Sequence, residues 1–321
     1  MSRAWLTVFI ARRLAALALL LLIISFFVFT LLYLAPGSPE QMFLGDRPSS
    51  PETIEAIKEQ YHLNDPFIVQ YGRWASGAVR LDFGNSIRTN EPVLSGILDR
   101  AGLTFFLGGF AFLIAMGLGV PLGVIAAVKR QKVVDRAVVG LSVIGVSAPA
   151  FATGIFLLYV FAVVLGWFPV FGQGSGFVDR LWHLTLPAIA LALTGMALVL
   201  KLTRAGMIGA LEQDFVAFAR ARGLPARKVL FFYAFRNALV PVVTAGGLIL
   251  GLMLTGAVLV EVTFALPGVG SLLVTSVSFG DIPMVQGLAM LVAIVIVLVN
   301  LLTDILYLFI DPRIRFGRAA A

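Results

Sequence analysis

Residues 201–241 read KLTRAGMIGALEQDFVAFARARGLPARKVLFFYAFRNALVP, a compact basic segment set between two long apolar runs. It holds seven cations (Lys201, Arg204, Arg220, Arg222, Arg227, Lys228 and Arg236) and two acids (Glu212 and Asp214). Each charge would cost roughly 2.5 to 3.5 kcal/mol at a bilayer centre, on the order of 20 kcal/mol or more in total, so the segment belongs in water. Yet Phe215, Phe218 and Ala219 before Gly223, and Val229, Phe232 and Tyr233 after it, keep a helical spacing that a solvated loop does not need. The pattern predicts a helix over about 212–222, a Gly-Leu-Pro turn, and a second helix over about 225–236. Gly223 is free to take the positive φ that ends the first helix, and Pro225 suits a first helical position. Such a hairpin is built to dock at a membrane surface.

The 321 residues are 60% hydrophobic and only 13% charged. Ordinary soluble domains are about 45–50% apolar, so this is a polytopic membrane protein. Cysteine is absent, which excludes disulfides, thiolate metal sites and cysteine nucleophiles. His62 and His183 stand far apart, and neither has a metal-ligand companion at i+4.

A crossing helix needs about 20 mostly apolar residues. Six runs qualify, at about 10–34, 103–128, 137–165, 184–200, 238–260 and 284–310. Pro121, Pro149 and Pro187 lie in or near them and are read as kinks. The first run follows Arg12 and Arg13 but is too long for a signal-peptide core and has no small-residue cleavage site before Pro36, so it reads as a retained anchor. With six spans, both termini and two connections share one side. Those segments contain seventeen of the 24 basic residues, and the long opposite loop holds nine acids. The positive-inside rule then puts both termini and the basic segment in the cytoplasm, and accounts for the net charge of +7 without nucleic acid.

The expected architecture is therefore all-α, with six membrane helices, N-in/C-in topology and a cytoplasmic hairpin. Its parts are an N-terminal tail and first helix (1–34), an extracytoplasmic loop domain (35–100), a five-helix membrane domain (101–310) enclosing the basic segment (206–237), and a cytoplasmic tail (311–321). In the loop domain Ser50 or Pro51 opens a helix with Glu52 and Glu55 near its start, and Tyr61, Phe67, Tyr71, Trp74 and Phe83 supply apolar surface to bury. Trp167, Phe168, Phe171 and Trp182 suit an interfacial belt.

Several chemistries find no support. GxxxxGK[ST], HExxH and GxSxG are all missing, so the chain has no P-loop with which to bind ATP. Charges within the spans are few. Asp304 lies near the inner end of the last, read as reaching water with pairing to Arg204 as the alternative, and Glu261 lies at the outer end of the fifth. Mid-membrane ionisable clusters of the kind a secondary transporter uses are missing. Glu261, Asp281 and His183 on the outer side carry no catalytic spacing.

DFVAFARARGLPARKVLFFYAFRNALVPVV at 214–243 resembles the EAA coupling segment of binding-protein-dependent ABC importer permeases. That pattern runs EAA, three residues, Gly, nine residues, then I-x-L-P. With its glycine on Gly223, the EAA positions fall on Ala217, Phe218 and Ala219, while Tyr233, Phe235 and Arg236 replace Ile, Leu and Pro. Forms usual in the dipeptide and oligopeptide branch occur along the whole chain: APGSP at 35–39, YHLNDPFIVQYGRW at 61–74, LDFGNS at 81–86, RNALVPVV at 236–243, LPGVGSLL at 266–273 and IDPRIRFG at 310–317. The long first outer loop resembles the B-type permease of the pair.

The resemblance implies a permease subunit without catalytic or metal residues of its own. It carries ATPase coupling onto Ala217, Phe218, Ala219, Arg220, Ala221, Arg222, Gly223, Leu224, Pro225 and Ala226. It further implies a C-type second permease, two cytoplasmic ABC ATPases holding ATP and Mg, an extracytoplasmic solute-binding protein, and residence among lipid in the cytoplasmic membrane of a prokaryote. Peptide import is what the branch implies. Nickel, oligosaccharide or other small-solute import by a similar permease is the alternative, and a secondary transporter independent of ATPases is the reading from another class.

Overall fold

The computed structural model describes residues 3–34, 38, 40, 50–60 and 62–310. The APGSP motif apart from Ser38, residues 41–49, Tyr61 and the basic tail 311–321 lie outside the described residues. Regular structure among the described residues is helical, with one isolated bridge between Asn85 and Pro92. The helices are α1 (Arg3–Leu34), α2 (Pro51–Gln60), α3 (Phe67–Val79), α4 (Val93–Val128), α5 (Val133–Ser147), α6 (Ala150–Val164), α7 (Gly176–Leu211), α8 (Asp214–Ala221), α9 (Ala226–Thr263), α10 (Val269–Ser278) and α11 (Ile282–Ile310). Five are long and apolar enough to cross a membrane: Ala11–Leu34 of α1, then α4, α7, α9, and Ile282–Leu306 of α11.

The third expected run is not one helix. Ala148 is extended (φ −94°, ψ 124°), the conformation a following proline favours, and Pro149 has no N–H to continue the ladder. The run divides there into α5 and α6. Each arm has 15 residues and rises about 22 Å, short of a core of roughly 30 Å. The fourth helix runs past residue 200 to Leu211, so Lys201 and Arg204 continue α7; its 36 residues rise about 54 Å, more than a core of roughly 30 Å requires. Pro121, Pro187 and Pro241 are all held inside continuous helices.

The chain forms two compact units. One contains residues 1–102 and 268–298. In it α1 meets α3 through aromatic rings: Phe29 lies 5.3 Å from Phe67, 5.7 Å from Tyr71 and 5.8 Å from Trp74 between centroids. The Tyr33 hydroxyl donates to Gln70 Oε1 at 2.5 Å, and the Gln70 amide donates to the carbonyls of Leu63 and Asp65. Ser50 caps α2 as expected, its Oγ accepting the Thr53 N–H at 3.2 Å. Asp281 caps α11 by accepting the Met284 N–H, and also takes the Ser86 hydroxyl at 2.5 Å and the Ile87 N–H at 3.2 Å. That carboxylate thus ties the 84–92 loop to the start of α11.

The other unit contains residues 103–267 and 299–321. Its core centres on α7, with Leu184, Leu191, Val199 and Ala192 buried against Leu107, Ala111, Ile249 and Met253. Glycines let the helices close up. A Cβ on Gly123 would stand 2.7 Å from the Thr203 Cβ and 2.8 Å from the Leu200 carbonyl oxygen, and one on Gly206 would stand 2.9 Å from the Pro241 ring. Small residues at such crossings supply the van der Waals contact that drives helix association in lipid. Glu261 is fully buried and accepts the Thr104 hydroxyl at 2.6 Å, while the His183 ring lies 3.2 Å from the Asp179 carboxylate.

Beyond α4, Gln131 turns the chain at φ +65°. Asp135, buried at the start of α5, is gripped by Arg204 through Nε and a terminal nitrogen, both at 2.7 Å, and accepts the Gln131 N–H at 2.9 Å. Arg204 therefore pairs with Asp135 and not with Asp304. The guanidinium hydrogen bonds, aided by the Gln131 N–H, pull the Asp135 carboxyl down to about 2 against the opposing effect of burial.

Two outcomes follow from this packing. Gly123→Leu forces α4 off α7 and should destabilise the purified chain by about 1–3 kcal/mol, read as a lower thermal midpoint in detergent, whereas Gly117→Leu, which meets open space, should not. For Asp135, the folded carboxyl titrates below the ordinary value of about 3.9, so the pair stabilises fully above that value and its contribution fades as pH falls toward about 2. Asp135→Asn should accordingly flatten the acid-side decline of the thermal midpoint, and an unchanged slope would contradict the assignment.

Candidate functional site

The basic segment begins where α7 ends. Glu212 and Gln213 separate α7 from α8, which runs from Asp214 to Ala221. The end of α8 is a Schellman motif: the Leu224 N–H donates to the Ala219 carbonyl at 3.3 Å, and the Gly223 N–H to the Arg220 carbonyl at 2.9 Å. Gly223 holds φ +73°, a left-handed conformation that costs other residues about 1–2 kcal/mol. An added Cβ there meets nothing within 4 Å, so the constraint is on the backbone and not on space. Pro225 follows at φ −62°, ψ 141°. It precedes the second helix as its cap, one position earlier than the sequence suggests.

Leu224 folds back onto a small core of Val216, Ala219 and Val229, joined by Tyr233. This apolar knot fixes the turn between its two arms. Of the helix-spaced apolar residues, Ala219, Val229 and Tyr233 face inward, whereas Phe218 is 67% and Phe232 71% exposed. Val216, at i−3 from Ala219, completes the buried face, and its spacing was the available signal.

The second arm is not a separate interfacial helix. It enters α9 through a π-helical stretch, Val229–Phe235, and continues to Thr263 without a break. Ala234 and Ala238 pack with Met207 and Ala210 of α7 and with Ala127 of α4. Arg130, in the connection after α4, pairs with Glu212 at the hinge between α7 and α8. The turn is thereby mounted on the ends of α4, α7 and α9. Arg130 and Asp135 were missed as supports because their partners lie 82 and 69 residues away, a distance at which no local pattern speaks.

Of the ten coupling candidates, Ala219 is buried and Leu224 half-buried within this knot. Ala217, Phe218, Arg220, Ala221, Arg222, Gly223, Pro225 and Ala226 are exposed on α8, the turn and the first residue of α9. The result is a rigid, projecting, cationic tip with an apolar flank. Such a surface can receive a complementary cleft and pass displacement into two spanning helices, while offering no nucleophile, metal cradle or phosphate loop.

Comparison with known proteins places these features in a family. Residues 119–316 match the binding-protein-dependent transport system inner membrane component, and residues 6–108 match the N-terminal membrane component of such systems. The chain is 38% identical over 314 residues to a putative peptide transport system permease protein of Brucella abortus (strain 2308), covering 97% of this chain and 99% of that one. It is 35% identical over 333 residues to the dipeptide transport system permease protein DppB of Escherichia coli (strain K12), covering 96% and 98%. A chain of the inward-facing MetNI methionine ABC transporter shares the fold, with a TM-score of 0.52 at 16% identity over 68% of this chain and 96% of that one. The chain belongs to the family of binding-protein-dependent transport system inner membrane components.

Proposed function

We propose that the chain is one of two permease subunits of an ATP-driven importer that moves dipeptides or oligopeptides delivered by an extracytoplasmic solute-binding protein. The observation that carries this reading is the exposed basic turn around Gly223, capped, packed on its own core and joined without a loose joint to α9. Two cytoplasmic ATPases would hold ATP and Mg, and one would seat residues 217–226 in a cleft. Closure of the ATPase pair would move the turn as a rigid body and rock α7 and α9 between inward- and outward-facing states. The peptide assignment is supported by relatives named for peptide and dipeptide transport along nearly their whole length. A C-type permease would complete the pore. The charge asymmetry supports a six-crossing thread, with α5 and α6 as one crossing and the basic segment on the cytoplasmic side of a prokaryotic inner membrane.

Reconstituted with its partners, the chain should take up labelled peptides only with both ATP and the binding protein. Uptake by the chain alone in a proton gradient would overturn the reading. Gly223→Val should leave insertion intact and lower ATP-driven uptake about tenfold, because a β-branched residue resists positive φ and tilts the tip. Gly223→Asn tolerates that conformation and should retain most activity. Substrate-stimulated ATP hydrolysis and uptake at wild-type rates in the valine variant would remove Gly223 from the coupling path.

A further inference from the structure

A cavity of about 650 Å³ opens beside the break between α5 and α6. That volume falls within the range of small-ligand pockets, about 300–1,000 Å³. Its walls are the Ser147–Ala150 break, one stripe of α7 and one of α9. The α7 stripe is Leu191, Thr194, Leu198 and Lys201, spaced i, i+3, i+7 and i+10, so the lysine continues the wall and does not lie on another face. Lys201 stands ten residues inside the end of α7, about 15 Å along the helix axis. Nearby Arg204 is consumed by Asp135, whereas Lys201 has no acidic partner among the described residues. The lining is mostly apolar, with Ser147, Thr194 and Thr255 as hydroxyl groups.

Lys201 is exposed where it borders the apolar wall, so its ammonium stays hydrated and free to meet an anionic group on charged cargo. The apolar lining on one side of it strengthens its attraction for an arriving anion relative to open water. The break adds backbone polarity. Ala148 leaves the helix and Pro149 has no N–H, so the last carbonyls of α5 lose their helical donors beside the cavity. We propose that this cavity is a solute-contact site on the transport path, with Lys201 receiving the C-terminal carboxylate of the passing peptide. The inference rests on the peptide-import reading above.

The test uses the assembled importer in lipid vesicles, with a pool of di- to tetrapeptides bearing free C-terminal carboxylates as the probe. Because the chain contains no cysteine, Thr194→Cys gives it a single thiol on the cavity wall, whose maleimide labelling is read on the separated subunit. The peptide pool should slow labelling during ATP-driven turnover. Adding Lys201→Met should abolish that protection and lower uptake about tenfold, whereas Lys201→Arg should keep both within about twofold. Labelling indifferent to peptide while Lys201 is present overturns the inference, as does equal loss in the Met and Arg variants. Dissociation of the second permease from the Lys201→Met complex also overturns it, assigning the lysine to an interface between subunits. Absence of ATP-dependent peptide uptake by the unsubstituted importer would instead defeat the peptide reading itself.

Discussion

A backbone amide that leaves its helix inside a bilayer has no water to bond, and the rest of this architecture depends on that constraint. It explains why the described residues are helical almost throughout, and why departures from helix carry meaning. The division at Pro149 interrupts an apolar run, whereas the hinge at Glu212–Gln213 and the turn at Gly223 lie in the basic segment, where water can also serve the backbone. At Pro149 the released carbonyls border a cavity. The turn at Gly223 satisfies its released groups internally through the Schellman bonds and closes them with Leu224. Between α7 and α8, the ion pair from Arg130 to Glu212 ties the junction to the preceding connection.

These three departures lie on one continuous route through the unit that contains α7. The tip at Gly223 is mounted on α9 and packed against α7, and both helices wall the cavity that reaches Lys201. On the α9 side the tip runs into the cavity wall through unbroken helix, with no loop between. The close contacts at Gly123 and Gly206 bring α4 and α9 tightly against α7.

Much of this was legible in the chain. The apolar runs, the basic segment, the glycine at the turn and the Ser50 cap can be read because they rest on local rules: hydropathy, helical period, positive φ and side-chain capping. Other features were not. The fourth apolar run stops at residue 200, before the first charge, although α7 continues through Lys201 and Arg204 to Leu211. Hydropathy charges a residue for being polar, but a helix continues as long as its ladder is intact and its charges find water or a partner. Helical spacing singled out Phe218 and Phe232 but not which way they face; they are exposed, and the smaller Val216 and Val229 fill the knot.

By itself the sequence determined that the chain lives in a membrane, that it has a water-exposed basic segment between apolar runs, and that this segment turns at a glycine. Those properties follow from composition and from bonds between near neighbours. Only the tertiary structure decided that Arg204 belongs to Asp135, that the tip is continuous with α9, and that Lys201 lines a cavity without an acidic partner among the described residues. Those facts depend on which helices meet and at what register. Residues dozens of positions apart carry no local signal of meeting until packing brings them within a few ångströms.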